Sequence, residues 1–516
     1  MMRRRDLFSP RELRVLASLH GGGPGFYALM GVLVGVALWG LIAYGVQLRY
    51  GLGVTGLRDN VMWGVYITNF VFFIGVSHVG ALMSAILRLT GAEWRRPITR
   101  MAEAITFASL LMGGLMPLVD MGRPDRLLNL VLHGRLQSPI LWDILSITTY
   151  LTGSTLFLYV PMIPDIALLR DRFAAGPAWR RRLYTALALG WRGTEVQRRH
   201  LEAAMGILAV LIIPIAVSVH TVVSWIMAMT LRAGWNSTIF GPYFVSGALF
   251  SGAAAVVTAM AAFRWAYRLE EYITEDHFRR MGYLVIALGL IYAYFTFNEY
   301  WVPAFKMASH ERGYLAAVLS GPFARLFWFT QVGGLLLPVL LLTLPRASLV
   351  PRLARVPLLQ PRPALAAAAA SGVLAIAAYA PPSPVAATLD AGVLRAVAAG
   401  TLAVASLWVL VALLPLCRAR PIATATVASV LVNVGAWWKR YVIIVPTLQS
   451  PFLPIQRAPQ GWGVYTPTWV EWSITFGAVA GFLLIYIVFS KLFPIVSLWE
   501  TRETEQGGEV AHALAR

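Results

Sequence analysis

The chain has 516 residues, 58% of them hydrophobic and only 13% charged, with a mean hydropathy of +0.66; a soluble domain carries roughly a quarter charged residues. These values exclude a water-soluble fold and predict an all-α, polytopic membrane protein. The net charge of +19 would suggest nucleic acid in a soluble protein, but the basic residues gather in alternate loops, which is a topology signal and a match to anionic lipid headgroups, with no nucleic acid implied.

In chain order, the first uncharged run, Phe26 to Leu48, is long enough to cross a hydrocarbon core of roughly 30 Å. It is too long for a secretory signal peptide and has no small-residue cleavage site behind it. Further spans are predicted near 61–87, 98–119, 140–168, 201–227, 239–263, 281–302, 326–344, 364–380, 394–416, 421–447 and 473–493. That makes twelve spans, or ten if the Ala-rich pair at 364–416, joined by a proline-rich connector, does not cross. The chain accordingly divides into an N-terminal tail (1–25), a membrane core of two helical bundles (26–344), an extra helical hairpin (345–420), C-terminal core helices (421–493) and a C-terminal tail (494–516).

Lys and Arg number four, eight, four and four in the loops 88–100, 169–200, 264–280 and 345–363, against two, three, one, two and one in the alternate loops 49–60, 120–139, 228–238, 303–324 and 446–472. The richer set belongs on the cytoplasmic side, which places both termini there. A weak internal echo pairs SHVGALMSAILRL with SGALFSGAAAVVTAMAAFRW, each followed by a basic turn. Small residues let helices approach closely in lipid, so two four-helix bundles are expected, from spans two to five and six to nine.

Ionisable groups inside spans are costly and mark sites. The stretch DMGRPDRLLNLVLHGRLQSPILWD puts Asp120 at the end of the third span and Asp143 at the start of the fourth, both on the outer side. The loop between them carries Arg123, Arg126 and His133, and its GRP turn fixes the backbone. One reading has Asp120 cap the turn and pair with Arg123. The other makes Asp120 and Asp143 catalytic: a hydroquinone giving up protons needs carboxylate or imidazole acceptors beside its hydroxyls. Tyr66 and Asn69, at the same depth, would orient the ring, with Arg123 and His133 in the same pocket.

A possible proton path collects the deeper groups. His78 is placed roughly 26 Å into its span and so near the cytoplasmic side, with Glu103, Asp165 and Glu202 at that depth and His220 and Glu299 toward the outer side. Haem b requires two histidines facing each other at one depth, which this placement of His78 and His220 denies; His20, His133, His200, His277, His310 and His512 fall at the edges or outside. Cys417, the single cysteine, allows neither a disulfide, nor an iron–sulfur cluster, nor a CxxCH haem attachment. The expectation is a chain without haem, iron–sulfur cluster or metal.

These residues together resemble the NrfD-like family, which includes the membrane subunit of polysulfide reductase, relatives in sulfite-reducing complexes and the quinol-oxidising subunit of alternative complex III. The resemblance rests on the DxGRP stretch ending in WD, IPDIALLRDR, WGVYI, SHVGALMSAILRL, RMAEAIT, VHTVVSW, GWNSTIFGPYFVSGALFSG, KRYVIIVPTL and YTPTWVEWSITFGAV with KLFPIVSLWE. It implies a bacterial inner-membrane subunit that binds menaquinol or ubiquinone-type quinones at the outer face and exchanges electrons with a partner iron–sulfur protein, within a complex holding molybdopterin-type or cytochrome subunits. Proton translocation is a further possibility it raises. Asp143 matches a family quinone-site position and Asp120 the DxGRP acid. Three features depart from the alternative complex III branch: Asp120 stands where that branch usually has histidine, Ile226 stands where it tends to have an acid, and 345–420 is usually shorter. The competing readings are a secondary transporter, disfavoured because the polar groups cluster at the faces rather than the midplane, and a passive anchor.

Overall fold

The computed structural model describes residues 9–19, 21–173, 176–235, 237–346, 356–357, 360–379, 391–450 and 463–501. The outermost parts of both predicted tails, with His512, fall outside the described residues, as do His20 and most of the 381–393 connector. Among the described residues every regular element is helical, as lipid demands: without water, backbone N–H and C=O groups must pair within the segment.

Eleven helices are long and apolar enough to cross a membrane. A short capped helix α1 (Pro10–Ala17) precedes α2 (Pro24–Tyr50). Then come α3 (Val65–Leu89), α4 (Arg96–Asp120), a short α5 (Leu127–Leu132), and α6 (Pro139–Tyr159), continued by α7 (Ile163–Arg172). The surface helix α8 (Ala178–Leu187) leads to α9 (Glu195–Ala228), whose start is fixed by a Thr194–Gln197 capping box. Next are α10 (Phe240–Tyr267), α11 (Glu275–Lys306), α12 (Ser309–Leu319) and α13 (Ala324–Trp328). α13 runs through a π-helical stretch, Phe329–Leu336, into α14 (Leu337–Thr343). The chain ends with α15 (Pro361–Tyr379), α16 (Ala391–Ala419), α17 (Pro421–Gln449) and α18 (Trp469–Leu492).

The first bundle is the expected one, α3, α4, α6 and α9. The second differs from expectation. Its members are α10, α11, the α13–α14 rod and α17; the predicted ninth span, which became α15, is not among them. α15 packs on α16, and that hairpin meets the core mainly at residues 344–346 and α17. Sequence adjacency misled here because the hairpin interrupts the bundle's helices along the chain without entering it. Over the expected ninth span, 364–380, the structure has α15, an apolar helix from Pro361 to Tyr379.

The bundles meet along α3 and α10, the two helices that carry the sequence echo. A Cβ at Gly252 would stand 2.5 Å from the Val79 side chain, so glycine is what allows this approach. α2 and α18 form a flanking pair of the same kind, with Gly40 against Gly477.

Candidate functional site

Crossing helices alternate in direction, so the C-terminal ends of α4, α11 and α17 and the N-terminal ends of α3, α6 and α18 share one face of the membrane. On this face stand Asp120, the last residue of α4, and Asp143, in the first turns of α6. One carboxylate oxygen of each, Oδ1, is buried without a hydrogen-bond partner, and among the described residues neither acid has an ion pair. No hydrogen bond joins the two.

Around Asp120 the structure builds a polar wall from helices distant in sequence. Tyr66, fully buried, donates to Gln47 Oε1 at 2.6 Å, and Gln47 Nε2 donates to the Val119 carbonyl at 2.7 Å, which fixes α2 against the end of α4. Asn69 donates to Thr475 Oγ1 at 2.9 Å and accepts from Trp437 Nε1 at 2.8 Å. The anchor is Glu471, fully buried: it accepts from Gly56 N, Thr468 N and Tyr465 Oη at 2.6–2.9 Å, while Tyr465 Oη accepts from Val65 N. Burial first, and the Glu471 carboxylate second, push the Tyr465 phenol up from its ordinary value, so it remains a donor. Asp120 and Tyr66 are within electrostatic reach of Glu471.

The loop residues fare differently. Arg123 makes a two-pronged pair with Asp125 at 2.8–2.9 Å and leaves Asp120 alone, which corrects the expected Arg123–Asp120 pair. The reason is local: Gly122, at φ +68°, turns the chain so that Arg123 meets the acid two residues on, in water. The Arg123 guanidinium holds the Asp125 carboxyl below its usual range. His133 ends α5 and is exposed.

Midway along α3 the ring centroids of His78 and His220 lie 4.5 Å apart, which overturns their placement in opposite halves. α3 begins at Val65, so His78 is about 20 Å along it, near the middle of that helix, and the 34-residue α9 brings His220 beside it at that level. Both His78 ring nitrogens face carbonyl oxygens, Nδ1 that of Ile74 at 2.6 Å and Nε2 that of Ala216 at 2.7 Å, while His220 Nδ1 is buried without a partner. A neutral ring donates to only one of these carbonyls; an imidazolium donates to both. The rings are in direct contact and the nitrogens of His78 are engaged by backbone carbonyls.

Arg440 sits in the same layer, bonded only to the Ala436 and Gly247 carbonyls and Ser251 Oγ.

The other proposed relay residues separate. Asp165 is fully engaged, by Arg100 at 2.6 Å and by the backbone N–H groups of Leu498 and Trp499 at 3.0 Å, which clasps the C-terminal segment to α7. Glu103 is buried within electrostatic reach of Arg100, Arg88, Arg95 and Glu500. Glu202 is exposed at the rim of a surface cleft with Arg170, Arg192 and Arg198. Glu299 belongs to the second bundle, paired with Lys439 at 3.1 Å; Lys439 also donates to Tyr300 Oη at 2.5 Å. Among the described residues no three His, Cys, Asp or Glu side chains converge.

Sequence reasoning missed Glu471, Gln47, Lys439 and Arg440. Two signals were available: Thr468-x-x-Glu471 is a capping box, and the Lys439–Arg440 pair interrupts an apolar span.

Residues 53–359 match the family model described as "Polysulphide reductase, NrfD". A Halobacterium salinarum chain named for the membrane component of a dimethyl sulfoxide reductase is 30% identical over 239 residues, 46% of this chain and 51% of that one. A selenate reductase component from Mesobacillus selenatarsenatis is 25% identical, over 61% of this chain and 75% of its own length. The Hdr-like menaquinol oxidoreductase integral membrane subunit of Archaeoglobus fulgidus is 21% identical, over 64% and 74%. The match thus spans about half the length of the halobacterial relative.

Proposed function

Since the chain belongs to the NrfD family of polysulphide reductase membrane proteins, we propose that it is the quinone-binding membrane subunit of a respiratory oxidoreductase complex. Its relatives are named as components of reductases and of a menaquinol oxidoreductase, which supports a role beside catalytic partners. The observation that carries the reading is the pair of carboxylates, Asp120 and Asp143, each with a buried oxygen without a hydrogen-bond partner and, among the described residues, no cation paired to it. A hydroquinone must lose two protons as it loses two electrons, and such oxygens are acceptors for them. Tyr66 and Asn69, held by Gln47, Thr475 and Trp437, form the polar wall beside which the ring is oriented.

The electrons pass to an iron–sulfur partner docked on this face, with molybdopterin-type or cytochrome subunits beyond it. The low count of Lys and Arg in the loops of this face makes it the outer one, with both termini cytoplasmic in a bacterial inner membrane. The touching His78–His220 pair supports a proton path through the first bundle, with Glu103 toward the opposite face. Asp165 and Glu299 serve as structural anchors, one holding the C-terminal clasp and the other Lys439.

The test is Asp120→Asn and Asp143→Asn in the assembled complex. Removing a proton acceptor is expected to lower quinol turnover about a hundredfold, with every partner of the complex still bound. Normal turnover in both variants would sink the assignment.

A further inference from the structure

A large cavity lies away from this site, in the second bundle, between α11 and the α13–α14 rod. It has a volume of about 450 Å³, within the range of small-molecule sites, and opens sideways toward lipid. Its lining is graded along its length. At the end level with the Asp120 face, Tyr300, Trp301, Phe327 and Trp328 enclose it, with Tyr300 and Phe327 ring centroids 4.8 Å apart and the Gln331 amide beside them. At the other end the wall is aliphatic, made by Gly289, Leu290, Leu336 and Val339. The antiparallel register is fixed there by Gly289, where a Cβ would stand 2.9 Å from the Val339 side chain.

Two further observations set this cleft apart from a packing gap. One wall is the π-helical stretch Phe329–Leu336, which carries Gln331; π-helical turns are rare and concentrate at functional sites. Its Gly334 touches Gly435 of α17, where an added Cβ would meet Cα at 2.6 Å, and this contact seats Lys439 one turn on. Behind the aromatic end, Tyr300 is both cavity wall and acceptor for Lys439, whose partner Glu299 has a buried carboxylate oxygen, Oε1, without a bond.

We infer that this cleft is a second quinone-binding site, distinct from the one at Asp120 and Asp143. A flat ring with carbonyl or hydroxyl oxygens lies among Tyr300, Trp301 and Trp328 within reach of Gln331, and an isoprenoid tail follows the aliphatic groove toward Val339. The occupant is a neutral ring and not a phospholipid head. The lining carries hydroxyl, amide and aromatic groups, and Lys439 behind it is already committed to Glu299 and Tyr300.

The experiment is photolabelling of the complex in nanodiscs with an azidoquinone bearing an isoprenoid tail, mapped by mass spectrometry. Label is expected on the segments 289–304 and 327–339, and it should persist in the Asp120→Asn, Asp143→Asn double variant, which separates this site from the first. Ala293→Phe, which fills the groove, should cut label there at least tenfold while leaving label near Asp120 unchanged. Should that variant fail to assemble, Gln331→Leu removes one hydrogen bond to the ring and should lower labelling about fivefold. Label confined to the first site, equal labelling in the assembled groove variant, or a phospholipid in the cleft that excess quinone does not displace overturns the inference.

Discussion

The two bundles each carry buried acid toward the same face of the membrane, and they treat it in opposite ways. In the second bundle Glu299 lies 3.1 Å from Lys439, with tyrosines around the pair. In the first, no cation among the described residues pairs with Asp120 or Asp143; the nearest arginine in sequence, Arg123, is drawn off to Asp125. A buried acid with a fixed ammonium is a strut, because removing either partner strands a charge in a low-dielectric interior. A buried acid without one has no fixed positive charge holding it ionised, so it can take up an incoming proton. The difference teaches that burial alone does not distinguish a site from a brace; the partner does.

The strongest way to break this comparison is Lys439→Met. If the second-bundle acid is a strut, the variant should lose about 3–5 kcal/mol of stability, read as a lowered thermal midpoint in detergent, and Glu299→Gln in the same chain should restore part of it. A midpoint equal to wild type in Lys439→Met would erase the distinction between the bundles.

Tyr66→Phe sharpens the other side. It removes one hydrogen bond to Gln47, about 1 kcal/mol, and through the loosened wall should raise the quinol KM about fivefold with a smaller change in kcat. An unchanged KM would reduce Tyr66 to a packing residue.

The smallest effect is expected at Arg123→Ala. The Arg123–Asp125 pair stands in water at 63% and 59% side-chain exposure, where ion pairs contribute little, so turnover and thermal midpoint should both match wild type. A marked loss of turnover would return the loop arginine to the site.

Much of the site's placement was legible in the residues. Asp120 and Asp143 end and begin consecutive spans, so any antiparallel pair sets them on one face, and Gly122 before Arg123-Pro124 announced the turn. The depth of the histidines was not legible. An error of four residues in where α3 starts moves His78 by about 6 Å, and nothing in hydropathy shows that α9 overruns the bilayer. The second bundle's fourth helix was hidden for a related reason: α17 follows a hairpin in the chain, and only contact with α10 and the π-helical stretch assigns it.

By itself the sequence determined the membrane class, the places of most of the long apolar helices, their alternation, and that the two acids share one face. These follow from one-dimensional quantities, since run length against bilayer thickness and the count of Lys and Arg per loop need no packing partner. The tertiary structure alone decided that Arg123 turns to Asp125, that Glu471 pins the loop at Gly56 and Tyr465, that His78 meets His220, and that Lys439 neutralises Glu299. Each of these joins groups by direction and distance. An apolar helix can turn any face to its neighbours in lipid, and interlocking glycines and hydrogen bonds, rather than hydrophobicity, choose which one.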